Sequence, residues 1–139
     1  MYGGKQRPTF VTFAKYGVGD NLSGFVVFAS MSQFKHRKFW QDNPQIKAII
    51  KAVPENEHME YPPEAGVALS QQYYVNPRNR QARQDQLEKC EGVVEKILRE
   101  GDDVLVHCHS SVHRAPIVGT ALYCRITGGP GEASCSLLH

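Results

Sequence analysis

Cys108 and Arg114 stand six positions apart, separated by His109, Ser110, Ser111, Val112 and His113 and preceded by the apolar residues Val104, Leu105 and Val106 and by His107. A thiol and a guanidinium at this spacing can share one anion. If the backbone after Cys108 curls into a tight loop and enters a helix, its amide N–H groups converge into a nest at the helix N-terminus. The positive field there favours thiolate over thiol, and the thiolate is the nucleophile. Arg114, at the first helical turn, then offers a planar fork of donors to two phosphoryl oxygens. The chemistry expected is in-line transfer of a phosphoryl group to Cys108, followed by hydrolysis of the phosphocysteine. Residues 109–113 form the phosphate-binding loop in this reading, with His109 and His113 at the rim.

Such a loop must be held between a strand and a helix. Gly101, Asp102 and Asp103 read as a helix stop and turn, residues 104–106 as a buried strand, and residues 115–123 as a helix with Pro116 in its first turn. That helix is apolar on nearly every side, which predicts a central, covered position.

The run resembles the His-Cys-x5-Arg signature of the cysteine-dependent protein phosphatases, and most of all their dual-specificity branch. Residues 22–128 read in that family's order of strand, helix, strand and long amphipathic helix before the loop. The resemblance implies that Cys108 is the nucleophile, that Arg114 clamps the phosphate, and that His107 helps to hold the cysteine as thiolate. It also implies helices beyond residue 128 that cover the core, where this sequence has only eleven further residues, Leu137 and Leu138 among them. A partner protein is therefore expected to cover the C-terminal side.

Three positions depart from the family pattern. The family's general acid is an Asp about thirty residues before the Cys, and counting back 32 positions from Cys108 reaches Asn76. An amide cannot donate a proton as a carboxylic acid does, and loss of general acid catalysis costs on the order of 10²–10⁴ in rate, least for phenolic leaving groups. Ser111 stands where the family has Gly; a Cβ at a position needing φ > 0 adds roughly 1–2 kcal/mol of strain. Ala115 replaces the hydroxyl that eases departure of the thiolate, which predicts slow turnover. Asp85, Asp102 and Asp103 read as solvated helix-surface or turn carboxylates rather than as substitute acids.

His107, Cys108, His109 and His113 also have metal-ligating chemistry, but no second Cys/His group lies at the spacing of a structural zinc site, so neither metal nor cofactor is expected. Cys90 and Cys124 read as buried small hydrophobes on helices and Cys135 as an inert tail thiol. Four cysteines without regular pairing, and no signal peptide, point to a reducing compartment inside the cell, the cytoplasm first.

At 139 residues and 41% hydrophobic content the chain suits one core, and no apolar run approaches the ~20 residues of a membrane span. A formal charge of +2 implies no broad nucleic-acid surface. Lys35, His36, Arg37 and Lys38 read as a solvated basic face, and Arg78, Arg80 and Arg83 as a local attraction for phosphorylated or acidic partners. Residues 1–21 read as an N-terminal arm, with an extended piece at 9–14 that can add an edge strand, and 22–139 as the phosphatase-like domain. Within it, 17–24 reads as a loop, 24–29 as a strand, 30–40 as a helix capped by Ser30, 46–53 as a strand, 54–66 as a loop and 69–75 as a strand. Between residues 79 and 100, Leu87, Cys90, Val93, Val94, Ile97 and Leu98 recur every three or four positions, which predicts one helix with a buried stripe, closed by Gly101.

The alternation predicts an α/β fold with a mostly parallel central sheet flanked by helices, like the dual-specificity phosphatases and shortened at the C-terminus, with the loop at the carboxyl end of a central strand. Two functions follow. One is slow hydrolysis of phosphomonoesters, protein phosphotyrosine first and phosphoserine or phosphothreonine after it. The other is a catalytically impaired module that binds a phospho-ligand or serves as a structural subunit.

Overall fold

Val26 to Phe28, Ile49 with Ile50, and Val104 to Val106 are short runs of β-branched and bulky apolar residues, and they form the middle strands of one five-stranded sheet. The computed structural model describes residues 13–19, 21–53, 59–108 and 114–128. Strands β1 (Phe13–Gly19), β2 (Leu22–Ala29), β3 (Ile46–Lys51), β4 (Gln72–Tyr74) and β5 (Asp103–His107) lie in the order β1-β2-β5-β3-β4. β1 pairs antiparallel with β2, whereas β2 with β5, β5 with β3 and β3 with β4 are parallel. The fold is therefore α/β with a mixed sheet. The three central strands are buried on both faces, as parallel strands between helices must be.

One face carries α4 (Arg80–Arg99) and α5 (Arg114–Thr127), packed over Val26, Ala48, Ile50, Val104 and Val106. The stripe expected from spacing is the buried one: Leu87, Cys90, Val94, Ile97 and Leu98 face inward, with Val93 at the margin. Asn79 caps α4 by accepting the Ala82 N–H at 2.8 Å. At the other end Gly101 adopts φ +87°, and the Gly101 and Asp102 N–H groups bond back to Leu98 and Ile97. Arg125 ties the two helices together, donating to Glu91 at 2.5 Å and to Gln84 at 2.6 Å. Gly119 lets α5 close on β2; a Cβ there would stand 2.3 Å from the Phe28 ring.

The other face is covered by α1 (Met31–Phe34), α2 (Arg37–Asp42), a 3-10 turn (Pro63–Ala65) and α3 (Gly66–Leu69), which enclose Phe34, Phe39, Trp40, Ile49, Met59 and Leu105. Arg37 and Glu64 pair at 2.8 Å across this layer.

Several expectations are corrected. Residues 17–24 are a hairpin rather than a loop: β1 runs to Gly19 with an irregularity after Gly17, and β2 starts at Leu22. The single helix expected over 30–40 is two short ones, because the Trp40 indole N–H donates to the Phe34 carbonyl at 2.5 Å and takes it out of the helical ladder. Ser30 does not cap through its side chain; its hydroxyl meets that of Ser32. The strand expected over 69–75 is only Gln72–Tyr74, because the 3-10 turn and α3 consume the residues up to Leu69. Helix α5 is covered only in part: Ala115, Val118, Gly119, Ala121 and Leu122 are buried, while Pro116, Ile117, Tyr123 and Ile126 are half-buried among the described residues. Lys35, His36, Arg37 and Lys38 are exposed as expected, and Cys90 and Cys124 are buried. Cys135, Leu137 and Leu138 lie outside the described residues, and among those described no helix is long and apolar enough to cross a membrane.

Candidate active site

The parallel strands end together, and their register sets Tyr74, Lys51 and His107 side by side across β4, β3 and β5 at the carboxyl edge. Open α/β sheets bind ligands at this edge. Cys108 follows the last residue of β5, and Arg114 is the first residue of α5. The loop residues between them, His109, Ser110, Ser111, Val112 and His113, lie outside the described residues.

His107 is fully buried. Its Nδ1 lies 3.1 Å from the Cys108 carbonyl and its Nε2 2.5 Å from the Tyr61 hydroxyl, while the Phe34 ring packs on the imidazole with centroids 4.1 Å apart. A carbonyl only accepts, so Nδ1 carries the hydrogen; Nε2 of the neutral imidazole then accepts a hydrogen bond from the Tyr61 hydroxyl. Burial pushes the Tyr61 phenol far above its usual range, with the Tyr74 phenol adding a smaller upward push, so Tyr61 stays a donor. This relay holds the peptide carbonyl of Cys108.

Cys108 is 2% exposed and belongs to the apolar cluster that also contains Val53. Val53 also lines a cleft of about 200 Å³, whose other lining residues among those described are Tyr74, Asn76, Pro77, Arg78, Gln86 and Arg114. Arg114 and Asn76 share this lining, whereas Cys108, from which Asn76 is counted in the sequence, is not one of the described residues that line it. Among the described residues two guanidiniums and no carboxylate line the cleft, a setting that favours an anion.

Asn76 is committed to its own turn. Its side-chain oxygen accepts the N–H groups of Arg78 at 2.8 Å and Asn79 at 3.2 Å, and its own N–H donates to Gln86 on α4 at 2.6 Å. The basic trio divides: Arg83 is buried and donates to the Pro77 carbonyl at 2.9 Å, whereas Arg78 and Arg80 are exposed. Asp85 is exposed on α4, and Asp103 sits at the opposite end of β5 from Cys108. The solvated-turn reading of Asp103 is corrected: it is 1% exposed and accepts from the Phe25 N–H at 2.9 Å and the Gln45 amide at 3.1 Å.

Lys51, Tyr61, Tyr74 and Gln86 escaped sequence reasoning. Each comes from a different segment, and only the strand register and the return of α4 bring them to the edge. Lys51 alone left a signal, as a lysine inside an otherwise apolar strand. Among the described residues no three His, Cys, Asp or Glu side chains converge as a metal site would require. No protein-family model, curated protein or solved structure matches the chain.

Proposed function

We propose that the chain is a cysteine-dependent phosphatase of the dual-specificity type, hydrolysing phosphomonoesters, aryl phosphates such as protein phosphotyrosine first. The observation that carries this reading is the succession of a buried strand ending in His107, Cys108 directly after it, five residues, and a helix that begins with Arg114 on the wall of a cationic cleft. Cys108 attacks phosphorus, Arg114 holds two equatorial oxygens, and His107 with Tyr61 fixes the peptide from which the loop departs. Residues 109–113 supply the amides that meet the remaining charge. A reduced thiol is required, which fits a reducing compartment, and Ala115 in the first turn of α5 offers no hydroxyl to assist breakdown of the phosphocysteine.

The test is hydrolysis of an activated aryl phosphate by wild type and Cys108→Ser. Wild type is expected to exceed the variant by at least about 10²-fold, as loss of a nucleophile entails. Equal rates would overturn the enzyme reading. The Asn76 amide favours a second reading, a module that binds a phospho-ligand without turning it over. In that case inorganic phosphate would raise the thermal stability of wild type, Arg114→Ala would remove the rise, and Cys108→Ser would hydrolyse no less than wild type.

A further inference from the structure

Lys51 is the only lysine buried among the described residues, at 6% exposure. A buried ammonium ordinarily has a carboxylate partner. None lies within ion-pair distance of Lys51 among the described residues. Its Nζ instead donates to the Tyr74 hydroxyl at 3.3 Å and lies 4.5 Å from the Tyr74 ring centre and 5.7 Å from that of Tyr61. An ammonium has three donors, and one neutral phenol uses one of them. The arrangement would be far better satisfied if the phenol oxygen became negative. Tyr74 lines the cleft that contains Arg114 and Asn76.

We infer that Tyr74, backed by Lys51, is the proton donor to the leaving group, the role for which Asn76 has no acidic proton. The inference rests on the assignment of Cys108 as nucleophile. In the first step the Cys108 thiolate forms the S–P bond while the ester P–O bond breaks. The electron pair of that bond goes to the leaving oxygen, which takes the Tyr74 hydroxyl proton, and the phenolate is left against the Lys51 ammonium. In the second step a water oxygen bonds to phosphorus, its proton returns to Tyr74, and the S–P bond breaks to restore the thiolate. Tyr74 is the catalytic residue in this scheme and Lys51 a positioning residue that acts through it. A phenol is a weaker acid than a carboxylic acid but an accepted general acid, and a neighbouring ammonium stabilises its conjugate base.

The inference predicts a particular dependence on the leaving group. For the 139-residue chain, kcat/KM is measured on dinitrophenyl, nitrophenyl and phenyl phosphate for wild type, Tyr74→Phe, Lys51→Met, the double variant and Cys108→Ser. Dinitrophenolate needs no proton to depart. Tyr74→Phe is expected to lose about 10²-fold on phenyl phosphate and less than about threefold on dinitrophenyl phosphate. Lys51→Met should lose about tenfold on phenyl phosphate, the scale of one charged hydrogen bond, with the same sparing of the activated ester. The double variant should be no worse than Tyr74→Phe alone. Retained activity on the activated ester certifies the fold of each variant, and Lys51→Met carries the same test if Tyr74→Phe does not fold. Turnover that depends on Cys108 but falls equally on all three esters, or not at all, in the Tyr74 and Lys51 variants would overturn this inference and leave the nucleophile standing. A wild type no faster than Cys108→Ser would overturn both.

Discussion

Asp103 and Lys51 are charged residues buried at opposite ends of the neighbouring strands β5 and β3, and they differ in what surrounds the charge. The Asp103 carboxylate accepts from the Phe25 backbone on β2 and from the Gln45 side chain just before β3, and its own N–H donates to the Gln45 carbonyl at 2.8 Å. It stitches three segments at the amino edge. Lys51, at the carboxyl edge, meets among the described residues one phenol and two ring faces. A polar group whose bonds are all made rigidifies the fold around it. One whose bonding capacity is left largely open among the described residues, behind a tyrosine that lines the cleft with Arg114, marks the edge at which a ligand or a developing charge completes the set.

Three substitutions try this contrast, in descending order of effect. Asp103→Ala should destabilise the chain by about 2–4 kcal/mol in urea unfolding, because it strands the Phe25 N–H on β2 and the Gln45 amide. A loss below about 1 kcal/mol would erase the distinction between the ends. The second concerns Cys90, buried between α4 and the sheet, whose thiol is pushed up to about 11, mainly by burial and next by the Glu91 charge. A raised folded value stabilises wherever the thiol is protonated in both states, so the contribution is constant below pH 9 and lost as pH rises from 9 to about 11. Over that window wild type should lose on the order of 2–3 kcal/mol that Cys90→Ala does not. Parallel pH curves for the two proteins would show that Cys90 ionises without reference to the fold. The smallest effect belongs to Lys51→Met, which keeps the stem and removes the ammonium: unfolding free energy should change by less than about 1 kcal/mol, or rise. Destabilisation beyond about 2 kcal/mol would make Lys51 a second Asp103.

The sequence exposes elements whose signal is local. Helix α4 is legible because Leu87, Cys90, Val94 and Ile97 repeat at helical spacing and Gly101 supplies the left-handed stop. β5 and α5 are legible from their apolar content, and the distance from Cys108 back to Asn76 is legible by counting. The breaks are tertiary. Trp40 reaches back to the Phe34 carbonyl and splits a helix that periodicity alone would continue. Asp103 reads as a turn residue until β2 and the Gln45 loop arrive to bury it. Lys51, Tyr61 and Tyr74 are unremarkable one at a time and acquire chemistry only when the β3–β4 register and the segment carrying Tyr61 bring phenols to the ammonium.

The most direct test of the account is the covalent intermediate itself. Wild-type protein mixed with excess dinitrophenyl phosphate and quenched in acid within the first turnovers is digested and read by mass spectrometry. The account predicts one phosphoryl group on the peptide that contains Cys108, accumulating because Ala115 gives no help to its hydrolysis, and none on that peptide in Cys108→Ser. Release of dinitrophenol from wild type with no phosphoryl group on Cys108 at any quench time would contradict it.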